Sequence, residues 1–168
     1  MSEDTQTPKP KIPEGAILRK DFTEYNHNVV KTDLTFELRS ESSVEVASKL
    51  RMEPNPEAPK WDGTVLLNGA TTEGIQQLQE IRINGQVLKD NQYKHEGTNI
   101  RLLDVPHGAF DLEVKTHVNP EKNASLSGLY MGGEQFITQC ESEGFRNITY
   151  FPDRPSVLST YTTTIIAD

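Results

Sequence analysis

Leu34, Phe36 and Leu38 alternate with Thr35, Glu37 and Arg39, the period-two pattern of a strand with one face buried and one in water. Ser40 to Ser43 has the composition of a turn. Val44, Val46, Ser48 and Leu50 then continue the alternation, so the two runs predict a hairpin. The cleanest alternation is Phe110, Leu112, Val114, Thr116 and Val118, with Asp111, Glu113 and Lys115 facing water. "TVLLNG" and "EIRING" each end in Asn-Gly, which suits a type I′ turn because both residues tolerate positive φ. In the second, Ile81 and Ile83 should face the core and Arg82 the solvent. "HEGTNIRLLDVP" reads as one more short strand, stopped at Pro106. Ser159 to Ala167 is rich in Thr, Tyr and Ile and reads as a last one.

Proline and glycine punctuate this pattern. "EPNPEAP", Glu53 to Pro59, holds three prolines in seven residues. Proline offers no amide to a ladder, so the stretch predicts a loop, with Trp61 beside it as an anchor in the core. "NPEKNASLSG" is a second loop. No long segment has helical period; the expectation is at most a single helical turn near residues 154–158, with Asp153 as its cap and Pro155 in its first turn. Residues 1–15 are polar, carry three prolines and should form a flexible tail or an extended strap. Short strands separated by turn signals define an all-β fold over residues 16–168, a sandwich-like or saddle-like assembly of curved antiparallel or mixed sheet. The run "YTTTIIAD" has no closing turn, so the expectation is an N-terminal fragment, cut before the last strands of its domain.

Composition narrows the function classes. The chain of 168 residues is long enough for one real core, but its 34% hydrophobic and 7% aromatic content favours half-buried strands. Acidic residues outnumber basic ones 25 to 17, for a net charge of -8, which argues against nucleic acid and anionic membrane surfaces as partners. No apolar run approaches the length of a membrane span. Cys140 is the only cysteine, so no internal disulfide is possible, and no leader pattern is visible; the expected location is cytoplasmic. Without a secretory leader, the sequons Asn123-Ala124-Ser125 and Asn147-Ile148-Thr149 read as chance.

Few residues carry candidate chemistry. His27, His95, His107 and His117 include no pair at the spacing of a helical zinc motif, and all four read as structural or surface residues. No metal site is therefore expected within these residues. Cys140 stands between Gln139 and Glu141, and a neighbouring carboxylate disfavours a thiolate, so it reads as a small residue packed in or near the core. Glu141 and Glu143 are two apart; on a strand they would share a face. Paired carboxylates do acid and base work or bind a cation. Beside "FITQC" they need a positive partner, either Arg146 or Arg154 or a substrate ammonium. Residue chemistry alone favours the salt bridge.

A resemblance sharpens this. "TQCESEGFRNITYFPDRPSVLSTYTTTIIAD" resembles the N-terminal domain of the bacterial aminopeptidase N family, zinc-dependent metallo-aminopeptidases. It extends back through "NASLSGLY", "VLLNG" and "ILRKDF", and so covers roughly Ile17 to Asp168, most strongly after Asn119. The resemblance implies a curved β domain packed on a catalytic domain that holds zinc through a His-Glu-x-x-His motif. That motif does not occur in this sequence. It also implies that Glu141 binds the free α-amino group of a peptide substrate and that Gln139 lines the pocket for the first side chain. No such role extends to Glu143, Arg146 or Asp153, which read as structural. The expected function is therefore the substrate-recognition part of a peptide-hydrolysing enzyme, inactive alone and able to self-associate through the Phe136–Tyr150 region, where the face that should meet the catalytic domain is left bare. The competing expectation is a free-standing, non-catalytic β-sandwich that binds a protein or glycan.

Overall fold

The computed structural model describes Ala16, Leu18, Arg19 and residues 22–167. The tail expected over residues 1–15 lies outside them. Among the described residues there are eleven strands: β1 (His27–Ser40), β2 (Ser43–Pro54), β3 (Val65–Leu67), β4 (Gln76–Ile83), β5 (Gln86–Val87), β6 (Tyr93–Glu96), β7 (Asn99–Leu102), β8 (Phe110–Val118), β9 (Gly128–Gly132), β10 (Gln135–Gln139) and β11 (Thr160–Ala167). The fold is all-β, as the alternation implies.

Six strands form the main sheet in the order β11-β1-β2-β8-β4-β5. β1 and β2 make the expected hairpin, with Leu34 opposite Ser48 and Phe36 opposite Val46. β11 joins the other side of β1 in parallel, which makes the sheet mixed. A three-stranded sheet, β3-β7-β6, and the β9–β10 hairpin complete the architecture. The alternation in β8 holds along its whole length: Phe110, Leu112, Val114, Thr116 and Val118 are all buried.

One face of the main sheet is covered in two halves. Over one half, Val65 and Leu67 of β3 and Ile100 and Leu102 of β7 pack on Leu50, Met52, Phe110 and Leu112. Over the other, Leu129 of β9 and Ile148 pack on Leu34, Phe36, Val44, Val46 and Val118. Buried hydroxyls sit between the two halves. Thr149 Oγ1 lies 3.2 Å from Ser48 Oγ and 3.3 Å from Thr116 Oγ1, so each hydroxyl finds a partner away from water.

Several elements differ from their expectation. The loop read over Glu53 to Pro59 starts later, because Glu53 and Pro54 still belong to β2; Pro54 is the last residue of that strand, where a missing amide is tolerated. "HEGTNIRLLDVP" forms two strands, β6 and β7, joined at Gly97 with φ 61°. Asn84-Gly85 is the expected positive-φ turn, at 51° and 79°, between β4 and β5. Asn68-Gly69 is not a turn. Asn68 exchanges two backbone hydrogen bonds with Phe151, at 2.8 and 3.1 Å. A Cβ on Gly69 would lie 2.1 Å from the Thr98 carbonyl oxygen, so glycine serves close packing there. Near Pro155, Val157 N–H donates to Arg154 O to close a turn, while among the described residues helical conformation is 3-10 and occurs at Arg19, Asp90–Gln92 and Phe145–Asn147. Asp153 does not cap a helix; its carboxylate accepts from Arg146 instead.

Candidate functional site

The site is assembled where β10 ends. Gln139, the last residue of β10, stands opposite Gly128 of β9. The chain then turns over residues 141–144, with a cis peptide between Ser142 and Glu143, and enters the 3-10 turn at Phe145. Glu141 and Glu143 therefore do not share a strand face, because the strand has already stopped. Gln139 and Glu141 are both exposed. Among the described residues, the Glu141 carboxylate makes no hydrogen bond or ion pair. The partner question has a split answer: Glu143 pairs with Arg146, and Glu141 is left open.

Arg146 is the hub of this segment. Its Nε and its backbone N–H both donate to Asp153 Oδ2 at 3.0 Å, and Nη2 donates to the Asp153 carbonyl at 2.7 Å. Nη2 also donates to the Glu143 carboxylate. The other candidate cation, Arg154, donates to the Thr23 carbonyl at 3.1 Å and lies over the Tyr25 ring. The segment is tied down further along. Gln76 Nε2 donates to the Arg146 carbonyl at 2.9 Å, and the Asp153 N–H donates to Asn68 Oδ1 at 3.1 Å. Arg146 and Asp153, each expected to be structural, thus form one network that sequence spacing alone does not reveal. The available signal, a glutamate three residues before an arginine, marks only the Glu143 pair.

An apolar groove of about 620 Å³ opens beside the turn. Leu34 and Phe36 of β1, Tyr161 and Ile165 of β11, Phe136 of β10 and Cys140 line it. Cys140 is thus an exposed residue of the groove wall, not a core residue, because it follows the last β10 pair. Desolvation by the wall, and then the Asp153 carboxylate, push its thiol above the ordinary range, so it stays a thiol near neutral pH.

The histidines are dispersed. His27 is buried against the edges of Trp61 and Phe110, with ring centroids 4.8 and 5.3 Å away. His95 and His107 are exposed, and His117 lies 3.2 Å from Ser43 Oγ. Among the described residues no three His, Cys, Asp or Glu side chains converge as a metal would need. These residues do not fit a zinc site. Both sequon asparagines are buried; Asn123 Nδ2 donates to the carbonyls of Ser127 and Leu129, and Asn147 Oδ1 accepts from the Thr71 N–H.

Such a fold, with a mixed sheet, two small covering sheets and an open groove beside a free carboxylate, matches a known class. Residues 24–168 match the peptidase M1 N-terminal domain, and the chain belongs to that family. Aminopeptidase N of Haemophilus influenzae is 37% identical over 153 residues, which cover 91% of this chain and 17% of that protein. The chain therefore spans about a sixth of the length of the curated relatives it matches. Among solved structures, Legionella pneumophila aminopeptidase A in complex with aspartic acid aligns with a TM-score of 0.79 at 30% identity, over 88% of this chain and 17% of that one. An M1 zinc metallopeptidase variant from Deinococcus radiodurans, bound to a Tyr-Ser-Ala substrate, shares the fold at TM-score 0.65 and 16% identity, over 85% of this chain and 33% of that one.

Proposed function

We propose that this chain is the substrate-recognition domain of a zinc-dependent aminopeptidase, in which Glu141 binds the free α-amino group of a peptide. The observation that carries the proposal is the Glu141 carboxylate, exposed and unpaired on a turn that is otherwise tied down, within a peptidase M1 N-terminal domain. An aminopeptidase must tell an N-terminal ammonium from an internal amide. A fixed carboxylate does this through a charge-assisted hydrogen bond. It also limits how far the chain enters, which sets the register of the scissile bond. A peptide blocked at its N-terminus leaves the carboxylate unpaired and is rejected. Gln139, exposed at the end of β10, lines the pocket for the first side chain in this reading.

In this reading the zinc that supplies the hydrolytic chemistry in such enzymes is held by the catalytic domain of the same polypeptide. The apolar groove suits packing against the catalytic domain of the same polypeptide. A cytoplasmic setting is part of the proposal, carried by the single cysteine.

The test is hydrolysis by the full-length protein. It should cleave an alanyl anilide and leave the N-acetylated anilide untouched, and its reading frame should encode His-Glu-x-x-His downstream. A full-length protein with neither the motif nor the hydrolysis would instead be a non-catalytic binding module.

A further inference from the structure

We infer that Arg146 is a positioning residue for Glu141, acting through a clamp on the turn between β10 and the 3-10 segment. The inference rests on the proposed role of Glu141. The guanidinium does three things at once. It holds the Asp153 carboxylate through Nε at 3.0 Å, the Asp153 carbonyl through Nη2 at 2.7 Å, and the Glu143 carboxylate through Nη2. Only 13% of the Arg146 side chain and 15% of the Asp153 side chain are exposed, so this part of the clamp is shielded from solvent. Its far end is fixed to the body of the domain, because the Asp153 N–H donates to Asn68 Oδ1 and the Arg146 carbonyl accepts from Gln76.

The clamp reaches the surface at one place. Glu143 is 46% exposed and sits two residues from Glu141, on the same turn. Glycine seats the other side of that turn. A Cβ on Gly144 would lie 2.9 Å from Ser127 Oγ and 3.1 Å from both Cys140 Cα and the Gln139 carbonyl oxygen. The turn is therefore folded tightly onto the end of β10, and Arg146 ties it there through Glu143. A planar fork does this where an ammonium would not, since its donors point at separate acceptors in one plane. A turn that must present one carboxylate at a fixed place needs such fastening, because a displacement of about 1 Å is costly in an active site.

The test is a set of coupled variants in the full-length enzyme, with KM and kcat measured on alanine p-nitroanilide. Arg146→Lys should raise KM by about tenfold, and the exposed Glu143→Gln by about threefold, with kcat reduced less than KM is raised. Glu143→Gln guards against loss of folding, since it removes only the charge of a surface partner and keeps an acceptor oxygen. In the Glu141→Gln background both substitutions should change KM by less than about twofold, because a misplaced side chain has no effect once its charge is gone. A loss of folded enzyme would lower kcat, leave KM alone and add to Glu141→Gln. Additive effects, or unchanged KM in both single variants while Glu141→Gln raises it, would overturn the inference and leave the reading of Glu141 standing. An unchanged KM in Glu141→Gln itself would remove both.

Discussion

His27 is a neutral imidazole held in a core. Asn26 Nδ2 donates to the Thr64 carbonyl at 2.7 Å, which fixes the amide and leaves its Oδ1 to accept from His27 Nδ1–H at 3.2 Å. The Nε2 atom is then buried without a hydrogen-bond partner among the described residues. Burial, and next the nearby His107, lower the His27 pKa to about 4. In the unfolded chain a histidine titrates near 6.5, so between these values the unfolded state binds the extra proton. Stability from neutral His27 is fully present above about pH 6.5 and is lost as pH falls toward 4, by on the order of 3 kcal/mol. Urea unfolding at pH 7.5 and 4.5 checks this against His27→Phe. The native protein should lose about 3 kcal/mol more than the variant; equal losses would contradict it. The alternation read from Leu34 onward did not reach His27, for a physical reason. A register shift between Val29 and Lys31 moves the buried face from odd to even positions. Thr149 belongs to the same scale. Thr149→Val should cost about 2 kcal/mol in the same assay, because it strips the Ser48 and Thr116 hydroxyls of a buried partner.

Two Asn-Gly pairs behave differently as elements. Asn84-Gly85 closes a hairpin because the strands on either side pair with each other. Asn68-Gly69 follows an equally good apolar run, but β3 pairs with β7, and Asn68 bridges to Phe151. A dipeptide records what the backbone tolerates, and the distant partner decides what it adopts. Gly69→Ala should therefore cost about 3 kcal/mol, since the Thr98 carbonyl cannot move aside cheaply. Gly85→Ala should cost about 1 kcal/mol, the penalty of positive φ alone. Thermal unfolding ranks the two, and the reverse order would contradict the packing account. The β1–β2 hairpin, β8 and β11 were legible because alternation and β-branched content are local. The parallel pairing of β11 with β1 was not, because it joins residues more than a hundred positions apart. The β9–β10 hairpin went unread although Gly132-Gly133 separates its two apolar runs, a signal short enough to be lost beside the preceding loop. The paired glutamates marked Glu141 as a candidate, the roles of Gln139 and Glu141 came from the family resemblance, and the clamp around Asp153 needed the fold, which brings Asn68 and Arg146 to it.

At the scale of the molecule, the groove and β11 leave much apolar surface in water. Ile165 is 66% exposed, Ile166 51% and Tyr161 47%. β11 is an edge strand of eight residues, and Thr160 to Ala167 holds neither charge nor proline to guard it. The domain by itself should associate with its own copies, and Ile165→Lys should weaken that association. Light scattering across a concentration series checks it; a clean monomer at high concentration would count against the exposed face as an association surface. In the proposed function this domain contributes one carboxylate to a site completed elsewhere in the polypeptide. The most direct measurement is kcat/KM for an alanyl anilide in the full-length enzyme carrying Glu141→Gln. The expected loss is about a hundredfold, near 3 kcal/mol of transition-state stabilisation, as for a removed partner of a charge pair. An unchanged kcat/KM would contradict it.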